Sequence, residues 1–259
     1  IDRRSLVSDK EIKFISSSFF LPYVFNKGTD NIDLSINLSS SRKSSNILRH
    51  KDNVYVFFSS GKIINFQYKN YIQNNDKINF KEINSNLDDF SGPSEYYWSG
   101  IKDVILVENN IFASYVSGIH ECYNISILKA DIKDFIFEEF FQPSECIDQK
   151  NNLNFDGSPI NGEFAGIQAG GKMIQYDDTN ILLSIGDFRI RNLAQKKDSI
   201  FGKIISVNLK NKNFNVVSMG HRNPQGMILH ENTNEKYILS AEHGPKGGDE
   251  INLIKLNND

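Results

Sequence analysis

A short strand-like run that ends in Ser or a near neighbour and then Gly recurs down this chain, and that repetition restricts its architecture more than any other feature. Four copies are visible, at 53–61 (NVYVFFSSG), 110–118 (NIFASYVSG), 180–186 (NILLSIG) and 236–244 (KYILSAEHG), with starts 57, 70 and 56 residues apart. Each is followed, directly or after a loop, by a second alternating run, at 62–68, 124–130, 203–209 and 250–256. The unit is strand, loop, strand, and the fold class it predicts is all-β.

Units of this kind at this spacing fit the blades of a β-propeller, whose sheets pack radially and present functional loops at one end of a central channel. A β-sandwich with accidental likeness among its strands is the other reading. Helices have no strong candidate. The run 101–107 is apolar in succession rather than at a 3.6-residue period, and Gly, Asn and Ser interrupt the chain too often for long helices. We therefore expect one β-propeller domain over 1–259 with about four blades present. Residues 1–98 form poorly assigned N-terminal blades, with strands expected at 11–16, 19–25 and 33–39. Six such blades need about 350 residues. The last strand, at 250–256, is followed by no closing segment, and an open ring exposes edges that proteins normally cover. The expectation is an incomplete propeller, or one that closes in an unusual way.

Charge and hydropathy exclude several roles. Lys and Arg total 29 against 32 Asp and Glu, a formal net charge of -3, with no long run of either sign. Such a surface lacks the concentrated positive charge that releases counterions from nucleic acid, so no nucleic-acid partner is expected. No apolar stretch approaches the roughly 20 residues needed to span a bilayer as a helix, so no membrane insertion is expected. With 39% hydrophobic and 24% charged residues, the chain has enough apolar side chains for a core, which excludes disorder. It opens at Ile1 without a basic-then-apolar leader, so a signal peptide is expected to have been removed or to lie outside this sequence.

The two cysteines carry the compartment signal. Cys122 and Cys146 flank strand-like runs at 123–130 and 135–141, separated by a turn at 131–134. A hairpin folded about position 134 pairs residues whose numbers sum to 268, which sets Cys122 opposite Cys146 at a spacing that suits a disulfide. Buried reduced thiols in a cytosolic protein are the alternative reading. Bridged, the cysteines point to an oxidising compartment, periplasmic or extracellular.

The stretch richest in chemistry is 220–226 (GHRNPQG) with 242–253 (EHGPKGGDEINL). Together the two motifs resemble the soluble glucose/sorbosone dehydrogenases, six-bladed propellers that hold pyrroloquinoline quinone (PQQ) and calcium in the central channel. The resemblance extends to 180–209, through Ile185, Gly186 and Asp187 and through Gly202, Lys203 and Ile204. More weakly it reaches 99–116, so that 99–259 are the dehydrogenase-like blades. It implies a periplasmic or secreted enzyme that oxidises an aldose to its lactone and passes the electrons to an acceptor. It also implies that Gly244 and Pro245 are the calcium ligands, and the ion would polarise the quinone carbonyl that receives the hydride.

The residues themselves suit that chemistry. A tricarboxylate quinone calls for a planar, permanently charged fork, which Arg222 supplies beside the amides of Asn223 and Gln225, with Pro224 stiffening the turn. These three are the expected cofactor-binding set. Calcium takes hard oxygens, backbone carbonyls included, and a Gly-Pro step between strands can turn two of them inward. Taken alone, each motif also reads as an ordinary polar turn. His221 and His243 lack a third ligand at recognisable spacing, which argues against a metal pair. Asp249 and Glu250 are neighbours on a strand and point to opposite faces, so they read as structural.

The sequence departs from the family where catalysis is decided. The dehydrogenases use a His general base a few residues before a Gly-Arg or Gly-Gly-Arg strand start; here that start resembles Gly170-Gly171-Lys172-Met173-Ile174, which places Gln168 in the base position. An amide holds substrate or water by hydrogen bonds but has no useful basicity near neutral pH. Asp187, which matches the family acid that supports the His, then lacks its partner and would reach a substrate through water. Trp98 stands near a position where the family has a cofactor-contacting Gln. Three roles follow: a sugar dehydrogenase using PQQ and calcium; a non-catalytic propeller that keeps the turn as a clamp and binds a glycan or protein; and a purely structural interaction domain.

Overall fold

A computed structural model describes residues 45–69, 80–90, 100–118, 122–148, 166–231 and 235–256. It is all-β. The first sheet contains β1 (Ser45–His50), β2 (Asn53–Phe58), β3 (Ile63–Gln67) and β4 (Lys81–Ile83). The second contains β5 (Ile101–Val107), β6 (Asn110–Ser117), β7 (Cys122–Asp131) and β8 (Glu138–Phe141), with β9 (Ile147–Asp148) also paired to β7. The third runs β10 (Gly170–Gln175), β11 (Asn180–Ile185), β12 (Lys203–Asn208) and β13 (Phe214–Met219). The fourth has β14 (Pro224–Glu231), β15 (Lys236–Glu242) and β16 (Glu250–Leu256).

Every sheet is an antiparallel meander in chain order, and its first strand packs against the first strand of the next: β1 on β5, β5 on β10, β10 on β14. This is the blade arrangement of a propeller rather than the two facing layers of a sandwich. Each repeat seen in the sequence forms the second strand of a blade, and the run after it forms the third. Helical structure among the described residues is confined to a single turn at Arg191–Ala194, 3-10 turns at Leu87–Phe90 and Pro245–Gly247, and residues 68–69. The strands expected at 11–16, 19–25 and 33–39, and Trp98, lie outside the described residues.

The core lies between blades, which explains why the repeated strands read as nearly continuous apolar runs. Along β2, Tyr55 and Phe57 face the second sheet while Val54 and Val56 face the other way. Along β6, Ile111, Ala113 and Tyr115 join the first sheet, and Phe112 and Val116 join the third. Ile181, Leu183 and Ile185 of β11 likewise pack on the second sheet and Leu182 on the fourth. Side chains alternate between two faces, and both faces are buried.

Polar bonds stitch the same seams. Asp103 of β5, buried, accepts from the Lys172 ammonium at 3.0 Å and from the Met173 N–H at 2.7 Å on β10. Lys203, fully buried, donates to the carbonyls of Leu193, Ala194 and Phe201 at 3.1, 2.9 and 2.8 Å, so its ammonium caps the open end of the helical turn. Glu145 accepts from Ser199 Oγ at 2.8 Å and from the Ile200 N–H at 2.6 Å, linking the second sheet to a loop of the third.

Cys122 and Cys146 are disulfide-bonded, with Cα atoms 5.3 Å apart. The register differs from the simple hairpin. Ile127 pairs with Phe141 as expected, but Cys122 pairs with Asp148 and Tyr123 with Ile147. The cause lies between those pairs, where residues 142–146 stand opposite only 124–126. Pro143 has no N–H to offer the ladder, and Asn124 Nδ2 instead donates to the carbonyls of Pro143 and Glu145 at 3.1 and 3.5 Å. The two extra residues leave Cys146 diagonal to Cys122, still within bridging distance.

Candidate functional site

The link from β13 to β14 carries the 220–226 motif. Gly220 turns the chain with φ of +93°, and its N–H and that of His221 donate to the Gly202 carbonyl at 3.1 and 3.0 Å. Arg222 follows, half-buried, with its backbone locked on both sides: its N–H donates to Glu242 Oε2 at 2.9 Å and its carbonyl accepts from the Asp187 N–H at 2.9 Å. Its guanidinium reaches into the next loop, where Nη1 donates to the carbonyls of His243 and Gly244 at 2.8 and 3.1 Å. Nε is buried without a hydrogen-bond partner.

Gln168 lies on the other arm of the same guanidinium. With its amide oriented to satisfy both neighbours, it accepts from Arg222 Nη2 at 2.5 Å and donates to Asp187 Oδ1 at 2.9 Å. Its backbone sits in the left-handed region at φ of +60°, and its carbonyl accepts from the Phe188 N–H at 3.1 Å. Gly186 allows this approach, since a Cβ there would stand 1.9 Å from the Gln168 carbonyl oxygen. Asp187 is buried at 1% exposure, and that burial pushes its carboxyl up to about 6. The bond from the Arg189 N–H at 2.8 Å and the charge of Arg222 offset the burial only in part.

The remaining expected residues divide. Asn223 is buried and its Oδ1 accepts from the Gly170 N–H at 3.2 Å, tying the turn to β10. Gln225 is exposed on β14. The Gly244 N–H donates to Asp249 Oδ1 at 3.0 Å, which closes the 244–249 loop, and a Cβ on Gly244 would strike the Gly248 carbonyl. The Pro245 carbonyl accepts from the Gly248 N–H at 3.1 Å. A cleft of about 270 Å³ opens beside Arg222, with Ser218, Glu242, Gly244, Pro245 and Asn252 in its wall. Gln168 and Asp187 do not line it, so Arg222 is the residue that touches both halves of the predicted site.

Glu242, Asn252 and Ser218 are the site residues that sequence reasoning passed over. Glu242 stands inside the quoted 242–253 motif, and its signal was an acid on a buried strand position beside a His. His221 is no metal ligand as it stands. Its Nδ1 bonds Glu242 Oε1 at 3.0 Å and its Nε2 bonds Ser218 Oγ at 2.8 Å. His243 is exposed and stands 3.5 Å from Asp249 Oδ1. Among the described residues no group of three or more His, Cys, Asp or Glu could hold a metal ion.

The donor set suits an anionic, planar ligand: a guanidinium with an unpartnered buried N–H, on the wall of a cleft. It does not suit calcium as it stands. The Gly244 carbonyl faces a cation and the Pro245 carbonyl is committed to its own turn.

Comparison with known proteins follows the same division of the chain. Residues 155–259 match the family model described as Glucose / Sorbosone dehydrogenase. An uncharacterized protein of Synechocystis, slr1608, is 35% identical over 109 residues, which cover 33% of this chain and 26% of that protein. The aldose sugar dehydrogenase YliI of Escherichia coli is 29% identical over 97 residues, 32% of this chain and 26% of that one. Among solved structures, the apo form of the soluble aldose sugar dehydrogenase from Escherichia coli has a TM-score of 0.55 at 18% identity, covering 83% of this chain and 60% of that one. The PQQ-bound form of the aldose sugar dehydrogenase from Streptomyces coelicolor gives the same four values. The matches thus span about a quarter of the curated relatives' length and 60% of the solved structures. Residues 155–259, which include the third and fourth sheets, are thus similar to the glucose/sorbosone dehydrogenases, and the four sheets share the fold of the solved aldose sugar dehydrogenases.

Proposed function

We propose that this relative of the sugar dehydrogenases binds PQQ beside Arg222 and acts, in the periplasm or outside the cell, on an aldose, oxidising it to its lactone and passing electrons on to an acceptor. The observation that carries the reading is the Arg222 guanidinium, held at a cleft by main-chain bonds with one buried N–H unmatched. When bound, the quinone supplies the two-electron acceptor for hydride from the sugar. Arg222 would hold its anionic groups, and Asn223 keeps the turn on β10. Gln168 orients groups near Arg222 by hydrogen bonding, and Asp187, with its carboxyl near 6, is the group beside it able to hold a proton near neutral pH. Gly244 and Pro245 are the candidate calcium carbonyls, yet occupancy there requires Arg222 to release Gly244, so no step is routed through the ion. The disulfide supports an oxidising compartment.

A second reading, a propeller that binds but does not oxidise, is favoured by Gln168 itself, whose amide is committed at both ends and has no basicity to offer. One experiment tests both. The full-length protein is titrated with PQQ, with and without calcium, following quinone absorbance, and then assayed for aldose oxidation with an artificial acceptor. Arg222→Ala should weaken quinone binding about 10-fold to 100-fold, as expected for loss of a charge-assisted contact. Affinity equal to wild type removes Arg222 from the site. In a protein that binds quinone but does not turn over, Gln168→His should bring turnover; its continued absence would place the defect elsewhere.

A further inference from the structure

The 242–253 motif contains a residue that neither the cofactor nor the metal assignment uses. Glu242, at the end of β15, is 8% exposed and collects donors from three directions. Its Oε1 lies 3.0 Å from His221 Nδ1 and accepts from Asn252 Nδ2 at 2.5 Å on β16, while Oε2 accepts from the Arg222 backbone N–H at 2.9 Å. Burial alone would raise this carboxyl. The bonds from His221 and from the backbone of Arg222 and Asn223 outweigh that and hold it below the usual Glu range, so it stays ionised.

The carboxylate grips the main chain of Arg222 and leaves the guanidinium alone. Arg222 forms no ion pair within 4.0 Å among the described residues; its side-chain partners are two carbonyls and an amide. An acid placed on the guanidinium would neutralise the charge that an anionic ligand needs. Placed on the backbone N–H, it fixes where the side chain starts without forming an ion pair with the guanidinium. The His221 ring, bonded at its far end to Ser218 Oγ, ties the turn back to β13.

We infer that Glu242 is the positioning residue of the site: through His221, Asn252 and the Arg222 N–H it sets the direction of the Arg222 guanidinium toward the cleft. This rests on the quinone reading only for what the guanidinium finally meets. The alternative is that the carboxylate merely satisfies buried donors and stabilises the fold.

The test is Glu242→Gln, which keeps the volume but turns a donor toward His221 or Arg222. Three properties of the intact protein are compared with wild type: amide hydrogen exchange, the nitrogen-15 resonances of the Arg222 guanidinium, and PQQ affinity. The expected result is exchange at 221–223 faster by about 10-fold or more with β11 and β12 still protected, an altered Arg222 Nε–Hε signal, and quinone binding weakened about 10-fold. Wild-type guanidinium signals and exchange at those residues overturn the inference, as does a loss of protection spread evenly over all four sheets. If Glu242→Gln does not fold, Asn252→Ala, which keeps the carboxylate but removes its tether to β16, decides: a shifted Arg222 signal upholds the role and an unchanged one removes it. Failure of the wild type to bind PQQ would end the cofactor reading, while exchange and resonances still judge Glu242.

Discussion

The strands β11 and β15 carry the same repeat, NILLSIG against KYILSAEHG, yet β11 is buried from Ile181 through Ile185 while β15 buries only Ile238, Ser240 and Glu242. The difference lies in what stands beyond each sheet. β11 has the second sheet on one face and the fourth on the other, so both sets of alternating side chains are covered. The fourth sheet packs one face on the third, through Met227, Ile238 and Leu256, and shows Ile228, Ile251 and Leu253 on the other at 60%, 79% and 65% exposure. Local pattern decides which way a side chain points, and the neighbouring sheet decides whether it is buried. The candidate site falls on the seam between these two regimes, with Gln168 and Asp187 on the packed side and the 242–249 loop on the open one.

Three measurements bear on that contrast. The largest effect should come from Lys203→Met in the packed sheet, which leaves three buried carbonyls without their donor and should cost about 3–5 kcal/mol in denaturant unfolding. A midpoint close to wild type would mean that the third sheet is less tightly specified than its burial implies.

Next is Asp187→Asn. Because burial raises the Asp187 carboxyl to about 6, the folded chain holds that proton more tightly than the unfolded chain does. Its contribution is present below about pH 4, near the ordinary Asp value, and is lost as pH rises through about 6. The wild type should therefore lose on the order of 1–3 kcal/mol from this group between pH 4 and 7, and the Asn variant should show a flatter profile. Parallel profiles would remove Asp187 as a titrating group at the seam.

The smallest effect is expected on the open face. Replacing Ile251 and Leu253 with Ser should change stability by less than about 0.5 kcal/mol per site, since each is already mostly in water. A loss above about 1.5 kcal/mol would show that this face is covered in solution and would erase the contrast.

Legibility in the sequence followed the same logic. The second and third strands of each blade were readable because their two faces are both apolar and a Ser or Gly ends the first of the pair. Outer strands were not: β13, FNVVSM, has no buried residue, and β9 is two residues long. The disulfide was readable from the cysteine positions, but the two-residue offset caused by the 142–146 stretch was not, because its origin is a side chain, Asn124, standing in for a ladder bond. At the site, residue types were legible from the motifs while their commitments were not. Nothing in RNPQG says that Asn223 will bond Gly170, or that Glu242, twenty residues on, will hold the Arg222 N–H.

The disulfide also reaches further than the hairpin it closes. Cys146 anchors its neighbour Glu145, whose carboxylate holds Ser199 and Ile200 in the third sheet. Two residues on, Gly202 bonds Gly186 beside Asp187 and receives the N–H groups of Gly220 and His221. A guy-line therefore runs from a covalent anchor in one blade to the turn that carries Arg222 in another. The bridge between two cysteines of the second sheet thus stands at one end of a run of hydrogen bonds whose other end is the turn that carries Arg222, far along the chain from either sulfur.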